Sequence, residues 1–212
     1  MSARRRPTPA RGERRAALVA VAAELFAHKP YDDIYINDIA AAAGVAHGLL
    51  FYHFKDKRGL YLAVVEKVLQ EILDLHKPRQ GERTKEERLR GLLRRQIEYR
   101  RNNVHTMLAL MRAGGQDPEL DRLFERGRRA GAEFILEMLD LDTGPPPPLR
   151  VAIRAIMGMF DEATADWFAH DCDLGDAEFE QLVYAAIVAV LTTVQSVRED
   201  VYAAVVELRL SA

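Results

Sequence analysis

Cysteine, long apolar runs and catalytic signatures are scarce in this chain, and each scarcity closes a class of explanation. Cys172 is the single cysteine, so neither an internal disulfide nor a zinc site of several thiolates can form, a usage that fits a reducing compartment. No run reaches the roughly 18 to 20 apolar residues of a membrane span, and residues 1–30 hold no apolar core flanked by a cleavage site. The sequence therefore reads as a soluble, cytoplasmic protein with no membrane partner. Strand-like alternation and internal repeats are missing, while the helical period recurs throughout; the fold expected is all-α. His28, His47, His53, His76, His105 and His170 are scattered, with no pair at metal-ligand spacing beside a carboxylate. No glycine-rich phosphate loop follows a strand, and no Ser or Cys stands in a nucleophile turn. The segment Asp171, Cys172, Asp173 reads as a loop with capping carboxylates. Neither an enzyme nor a bound cofactor or metal is expected.

What is present is unevenly placed. With 212 residues, 49% hydrophobic and 29% charged, the chain can bury a sizeable core in one or two domains. Its net charge of −2 averages over a division: residues 1–60 hold 10 Lys and Arg against 6 Asp and Glu, residues 61–139 hold 16 against 13, and residues 140–212 hold 4 against 13. The N-terminal end can face phosphate, and the C-terminal end is repelled by it.

Between Tyr31 and Tyr61 the chain reads as two short helices around a tight corner. Ile39, Ala40 and Ala43 recur at helical spacing over Ile36 to Ala43, and Gly44 supplies a residue free to adopt a left-handed backbone. In a second helix from about His47 to His53, Leu50 and the adjoining Phe54 lie four apart on one inward face. His47, Leu49, Tyr52 and His53 are then free to turn outward. Ala40, four before the glycine, and Leu50, six after it, have helix-turn-helix spacing. A first helix from Arg11 to His28 carries Leu18, Val21, Ala22, Leu25 and Phe26 toward these two, completing a three-helix domain over residues 11–60. Ahead of it, Arg4, Arg5 and Arg6 with Pro7 and Pro9 read as a mobile basic arm, residues 1–10.

The frame Gly44-Val45-Ala46-His47-Gly48-Leu49-Leu50-Phe51-Tyr52-His53-Phe54-Lys55-Asp56-Lys57 resembles the DNA-binding domain of the TetR family of bacterial transcriptional regulators, over about the first 75 residues. The resemblance implies base contact by Gly48 and Tyr52 and phosphate contact by His53 and Lys57, on double-stranded operator DNA. His47 is open to a base edge, to a phosphate or simply to solvent, and Leu49 can meet a thymine methyl. Two departures remove hydroxyls: Ala46 stands where the family usually has Ser, and Phe51 where it usually has Tyr. Tyr35, at the start of the first helix of the pair, can reach a phosphate in compensation, although it cannot act as a conventional cap. No Arg, Lys, Asn or Gln lies between Ala46 and His53, so the bidentate pairs that read guanine or adenine are absent from this helix. Operator shape and bendability then carry part of the specificity.

Residues 61–212 read as a larger helical domain for ligand binding and dimerisation. Asp56 is placed to cap a helix running to about His76, Pro78 and Gly81 mark a loop, and one long Arg-rich helix is expected from Glu86 to about Ala113. Asp117 and Pro118 open the next helix, and Pro145 to Pro148 form a stiff extended connection. Leu149 to His170 and Asp176 to Val197 are apolar on more than one face, so a second copy of the same helices is the readiest partner. Val151, Gly158, Val183, Ile187, Val190 and Val194 are the expected interface residues of the homodimer. Tyr99, His105, Met107, Met111, Phe124, Met138, Met157, Phe160 and Trp167 form a set rich in Met and aromatics that suits a mainly apolar small molecule. Resemblance implies only where such an effector binds, between the long helices. The function expected is a repressor released from operator DNA by that effector; a second reading of the same fold answers to a protein partner or to no ligand.

Overall fold

The computed structural model describes residues 11–112, 117–141 and 144–210; the basic arm expected over residues 1–10 lies outside them. Helices are the only extended elements among the described residues. The chain divides into two compact units, Met1–Val68 and Leu69–Ala212. The division falls inside a helix rather than at residue 60; Leu60, Tyr61, Val64, Val65 and Val68, all buried, belong to the first unit.

The first unit consists of α1 (Arg11–His28), a single 3-10 turn (Tyr31–Asp33), α2 (Ile36–Ala43), α3 (His47–Phe54) and the first half of α4 (Lys57–Leu75). Leu18, Ala22 and Phe26 of α1, Ile39 of α2, Leu50 of α3 and Leu60 of α4 form its core. Phe26, Tyr31 and Tyr61 pack as an aromatic trio, with ring centroids 4.9 to 5.9 Å apart. Burial pushes the Tyr61 phenol up to about 12, and its hydroxyl has no hydrogen-bond partner. Such an uncompensated group costs stability. As expected, Asp56 caps α4: its carboxylate accepts from the Gly59 N–H at 2.7 Å.

The second unit contains the rest of α4, α5 (Lys85–Asn102), α6 (Val104–Arg112), α7 (Pro118–Met138), α8 (Pro147–Ala169), α9 (Asp176–Thr193) and α10 (Glu199–Leu210). Thr84 and Glu87 form a reciprocal capping box at the start of α5. At α7 the Asp117 carboxylate accepts from the N–H groups of Glu119 and Leu120. Helix α9 packs against α5, α8 and α10, and α8 also packs against α7.

Four expectations need correction. The single long helix of residues 86–113 is two, because the Asn103 side-chain amide donates to the Tyr99 carbonyl at 2.9 Å. That carbonyl is the one the Asn103 backbone N–H would take in a continuing helix; the N–H turns instead to Arg100 O. Pro147 and Pro148 are not part of an extended connection but form the first turn of α8, where a missing N–H is harmless. Val183 and Ile187 belong to the core of one protomer, so they cannot serve a partner's surface; the face of α9 left uncovered carries Leu182, Ala185 and Ala189. Finally, Asp176–Val197 is long and apolar enough to cross a membrane by length and composition, although it packs here on three neighbouring helices.

Gly59 is required by sterics alone. A Cβ there would lie 2.1 Å from the Phe54 carbonyl oxygen, a backbone atom. Gly59→Ala is expected to destabilise the first unit by about 1 to 3 kcal/mol, read as a lower thermal midpoint with the circular dichroism of the folded state retained at low temperature. An unchanged midpoint would contradict this close approach.

Candidate nucleic-acid interface and internal cavity

The corner between α2 and α3 is made by backbone geometry. Gly44 adopts φ 63° and ψ 34°, and the N–H groups of Gly44 and Val45 donate to Ala41 O and Ala40 O at 3.1 and 3.0 Å. These bonds end α2 and reverse the chain. Helix α3 then starts at Ala46 with no side-chain cap, as its missing hydroxyl implies. Tyr35 makes no side-chain cap either; the Asp38 carboxylate accepts from the Tyr35 N–H at 3.0 Å.

Leu50 and Phe54 are buried, and the opposite side of α3 is open. Tyr35, His47, Gly48 and Tyr52 are exposed, whereas Leu49, His53 and Lys57 are half-buried. Tyr52 is 63% exposed. Gly48 differs from Gly44 and Gly59, since a Cβ there would meet nothing within 4 Å. Packing inside the chain does not explain its missing side chain; the consequence is a flat surface between His47 and Tyr52. The His47 ring meets Phe51 edge-on at 4.7 Å.

Cations missing from α3 are brought to it by its neighbours, which spacing within α3 does not reveal. The Arg11 guanidinium lies 5.2 Å from the centre of the Tyr52 ring, and Arg15 lies 5.1 Å from that of Phe54. Lys55 is exposed at the corner before α4, with φ 69°. The Lys57 ammonium rests 4.0 Å over the Tyr31 ring. The face around α3 is therefore basic at its edge and neutral at its centre.

The second unit contains a cavity partly open to solvent, with about 90 Å3 available to the centres of water-sized spheres. Of the residues expected to line it, Met107, Phe124, Met157 and Phe160 do. The others are placed differently. Tyr99 donates to the Glu71 carboxylate at 2.6 Å, Met138 is core, and Trp167 stacks on Phe179 at 4.4 Å while its indole N–H donates to Leu174 O. His105 is not in the lining, and the Met111 side chain lies outside the described residues. Ile187, expected at the dimer interface, lines the cavity instead.

One wall of the cavity is polar, made by Gln96, Arg100, Arg128, Asp161 and His76. Sequence reasoning missed it because its members come from three different helices and from the turn that follows α4. Arg100 and Asp161 are 61 residues apart yet bonded at 3.1 Å. Burial pushes the Arg100 guanidinium below its ordinary value, against the opposing pull of Asp161. Burial also lowers His76, whose Nδ1 bonds Ile72 O at 2.9 Å; the charges of Arg100 and Arg95 add to the effect. Among the described residues, no cluster of His, Cys, Asp or Glu could hold a metal ion.

With this geometry in view, residues 18–64 match the family described as "Bacterial regulatory proteins, tetR family". The transcriptional activator FasR of Mycolicibacterium smegmatis is 40% identical over 57 residues, 27% of this chain and 26% of that protein. The regulator EthR of Mycobacterium tuberculosis is 28% identical over 68 residues, 32% of each. The chain thus spans only about a quarter to a third of these relatives. A TetR-family transcriptional regulator from Streptomyces coelicolor superposes with a TM-score of 0.84 and 27% identity, over 95% of this chain and 90% of that one. The fatty acid degradation regulator FadR of Bacillus halodurans, at 18% identity and TM-score 0.67 over 84% and 96% of the two chains, shares the fold.

The His76 shift has a pH consequence. A histidine whose folded pKa lies below its unfolded value of about 6.5 binds more protons unfolded than folded. The stability it contributes is then present above pH 6.5 and lost as pH falls below it. Thermal midpoints measured from pH 7.5 to pH 5.5 should therefore fall more steeply in the natural protein than in His76→Leu. Parallel curves would contradict the neutral, buried imidazole.

Proposed function

We propose that this chain, which belongs to the TetR family of bacterial regulatory proteins, is a homodimeric repressor that binds operator DNA through α3 and releases it when a small molecule fills the cavity of the second unit. The observation that carries the reading is α3 itself: anchored by Leu50 and Phe54 and flat at Gly48, it presents an open face with basic groups around it. In this reading Gly48 lets the helix sit deep in the major groove. Tyr52 offers its hydroxyl to a base edge, Leu49 meets a thymine methyl, and His47 touches a base edge or phosphate. Tyr35, His53 and Lys57 hold phosphates and fix the register.

The dimer is supported by the uncovered apolar faces of α8 and α9. Val151 and Leu182 are each 57% exposed. Gly158 adds a position where a Cβ would meet nothing within 4 Å, so another helix can approach closely. Val190 and Val194 are half-buried beside Ala185 and Ala189. A second copy covering this face gives the two-fold symmetry that a symmetric operator requires. The cavity, mostly apolar with one polar wall, is the proposed effector site. No catalytic role is proposed, and the site of action is the cytoplasm.

Two variants separate base reading from phosphate anchoring. Tyr52→Ala should weaken operator binding by about 1 to 3 kcal/mol and relax preference at one base pair, whereas Lys57→Ala should weaken all sequences alike and reduce the salt slope by about 0.9. Anisotropy titrations against single-base operator variants at several salt concentrations distinguish them. A Tyr52→Ala protein that binds unchanged, or a Lys57→Ala loss confined to one base pair, would contradict the assignment.

Assembly has its own test. Leu182→Glu places a charge on the proposed interface without touching the protomer core, so a folded monomer is expected in light scattering. A dimer of undiminished mass would show that this face is not the interface.

A further inference from the structure

The polar wall of the cavity carries unbalanced charge and unmade hydrogen bonds. Asp161 accepts from Arg100 Nη1 through Oδ1 at 3.1 Å. Its Oδ2 accepts from Arg128 Nε at 3.2 Å, with Arg128 Nη2 3.1 Å away in the same ion pair. Arg128 also lies 3.7 Å from Glu125, which pairs in turn with Arg154 at 2.8 Å, so three guanidiniums meet two carboxylates and the cluster keeps a charge of one positive unit. The two guanidiniums paired with Asp161 lie over aromatic rings of the cavity, Arg100 at 4.2 Å from the centre of Phe160 and Arg128 at 4.4 Å from that of Phe124. They are fixed before any ligand arrives.

Two atoms of this wall lack any partner: Gln96 Oε1 and Arg100 Nε, both buried. Gln96 is only 4% exposed, and it stands one helical turn before Arg100 on α5. Buried polar groups are ordinarily satisfied, so two orphans side by side on a cavity wall describe the polar end of an absent ligand. His76 does not supply further charge, since burial favours its neutral form. Away from this wall the lining is apolar, with Leu69, Ile72, Leu92, Leu93 and Ile135 among its residues.

We infer that the cavity takes a singly anionic amphiphile, its apolar body among Leu69, Ile72, Leu92 and Ile135 and its carboxylate at the Gln96 and Arg100 end. The inference rests on the reading of the cavity as the effector site and adds the chemical class. One carboxylate oxygen accepts from Arg100 Nε–H. The other accepts from the Gln96 amide, whose oxygen and nitrogen exchange places when the group turns over. The single negative charge neutralises the excess of the cluster of Arg100, Arg128 and Arg154 with Asp161 and Glu125, which a neutral head leaves unbalanced and a cationic head aggravates. Charge-assisted bonds made away from water discriminate strongly between such heads.

Three probes of equal chain length separate the possibilities: decanoate, 1-decanol and decyltrimethylammonium, titrated calorimetrically into the full-length protein below their aggregation limits at pH 7.5. Decanoate is expected to bind about ten- to a hundredfold more tightly than decanol, with no binding of the cation. Gln96→Leu should lower decanoate affinity about tenfold and leave decanol unchanged, and Arg100→Met should erase the difference between the two. Should Arg100→Met fail to fold, the comparison in the natural protein and the Gln96→Leu result decide the matter. Decanol or the cation binding as tightly as decanoate would overturn the anionic head while leaving the cavity a ligand site. Failure of all three to bind would overturn the inference and the effector reading together.

Discussion

An eight-residue helix is little more than two turns, too short to persist alone in water, so all that α3 presents depends on the burial of Leu50 and Phe54 beneath it. Both are needed because they sit four apart and define one face; with that face fixed, the opposite residues have no freedom to turn inward. Gly44 determines where the helix begins, and Gly59 permits α4 to pass close over its end. Arg11 and Arg15 then lie against rings of α3 from α1. The helix has no cap and no charge of its own, and its neighbours supply its order and the basic rim.

The second unit solves a different problem, a charged group kept inside an apolar wall. Burying two guanidiniums and one carboxylate is at best neutral for stability compared with a well-packed apolar core. Arg100, Arg128 and Asp161 do tie α5, α7 and α8 together, but apolar side chains of similar volume could do so at lower desolvation cost. The presence of the three charged groups, with two neighbouring polar atoms unsatisfied, is what the proposed recognition of a ligand would account for. The glycines of α7 point the same way: a Cβ at Gly131 would lie 2.6 Å from the Met157 sulfur, and one at Gly127 would lie 3.2 Å from Leu69 Cδ1. Side chains at these positions would close part of the space.

Local signals were legible in the sequence and long-range ones were not. The Gly44 corner, the inward pair Leu50 and Phe54, and the caps at Asp56 and Asp117 are all set by residues within four or five positions of one another, and periodicity reads them directly. The break at Asn103 is also local, but it depends on a side chain choosing the Tyr99 carbonyl over solvent, which spacing does not reveal. Helix α9 shows a different limit. An apolar helix with two apolar sides does not say which one its own protomer uses, so Val183 and Ile187 were assigned to a partner while Leu182 was overlooked. The polar cavity wall was hidden for a third reason: arginines on a charged helix read as solvated, and only the fold brings Arg100 to Asp161.

The central claim, that α3 reads DNA as part of a two-fold symmetric assembly, is tested most directly by selection from a pool of randomised duplex DNA with the purified full-length protein, followed by sequencing of the bound fraction. The account predicts enrichment of an inverted repeat whose two halves fall on the same face of the duplex. Recovery of no sequence above the input pool, or of a single asymmetric site bound by a monomer, would contradict it.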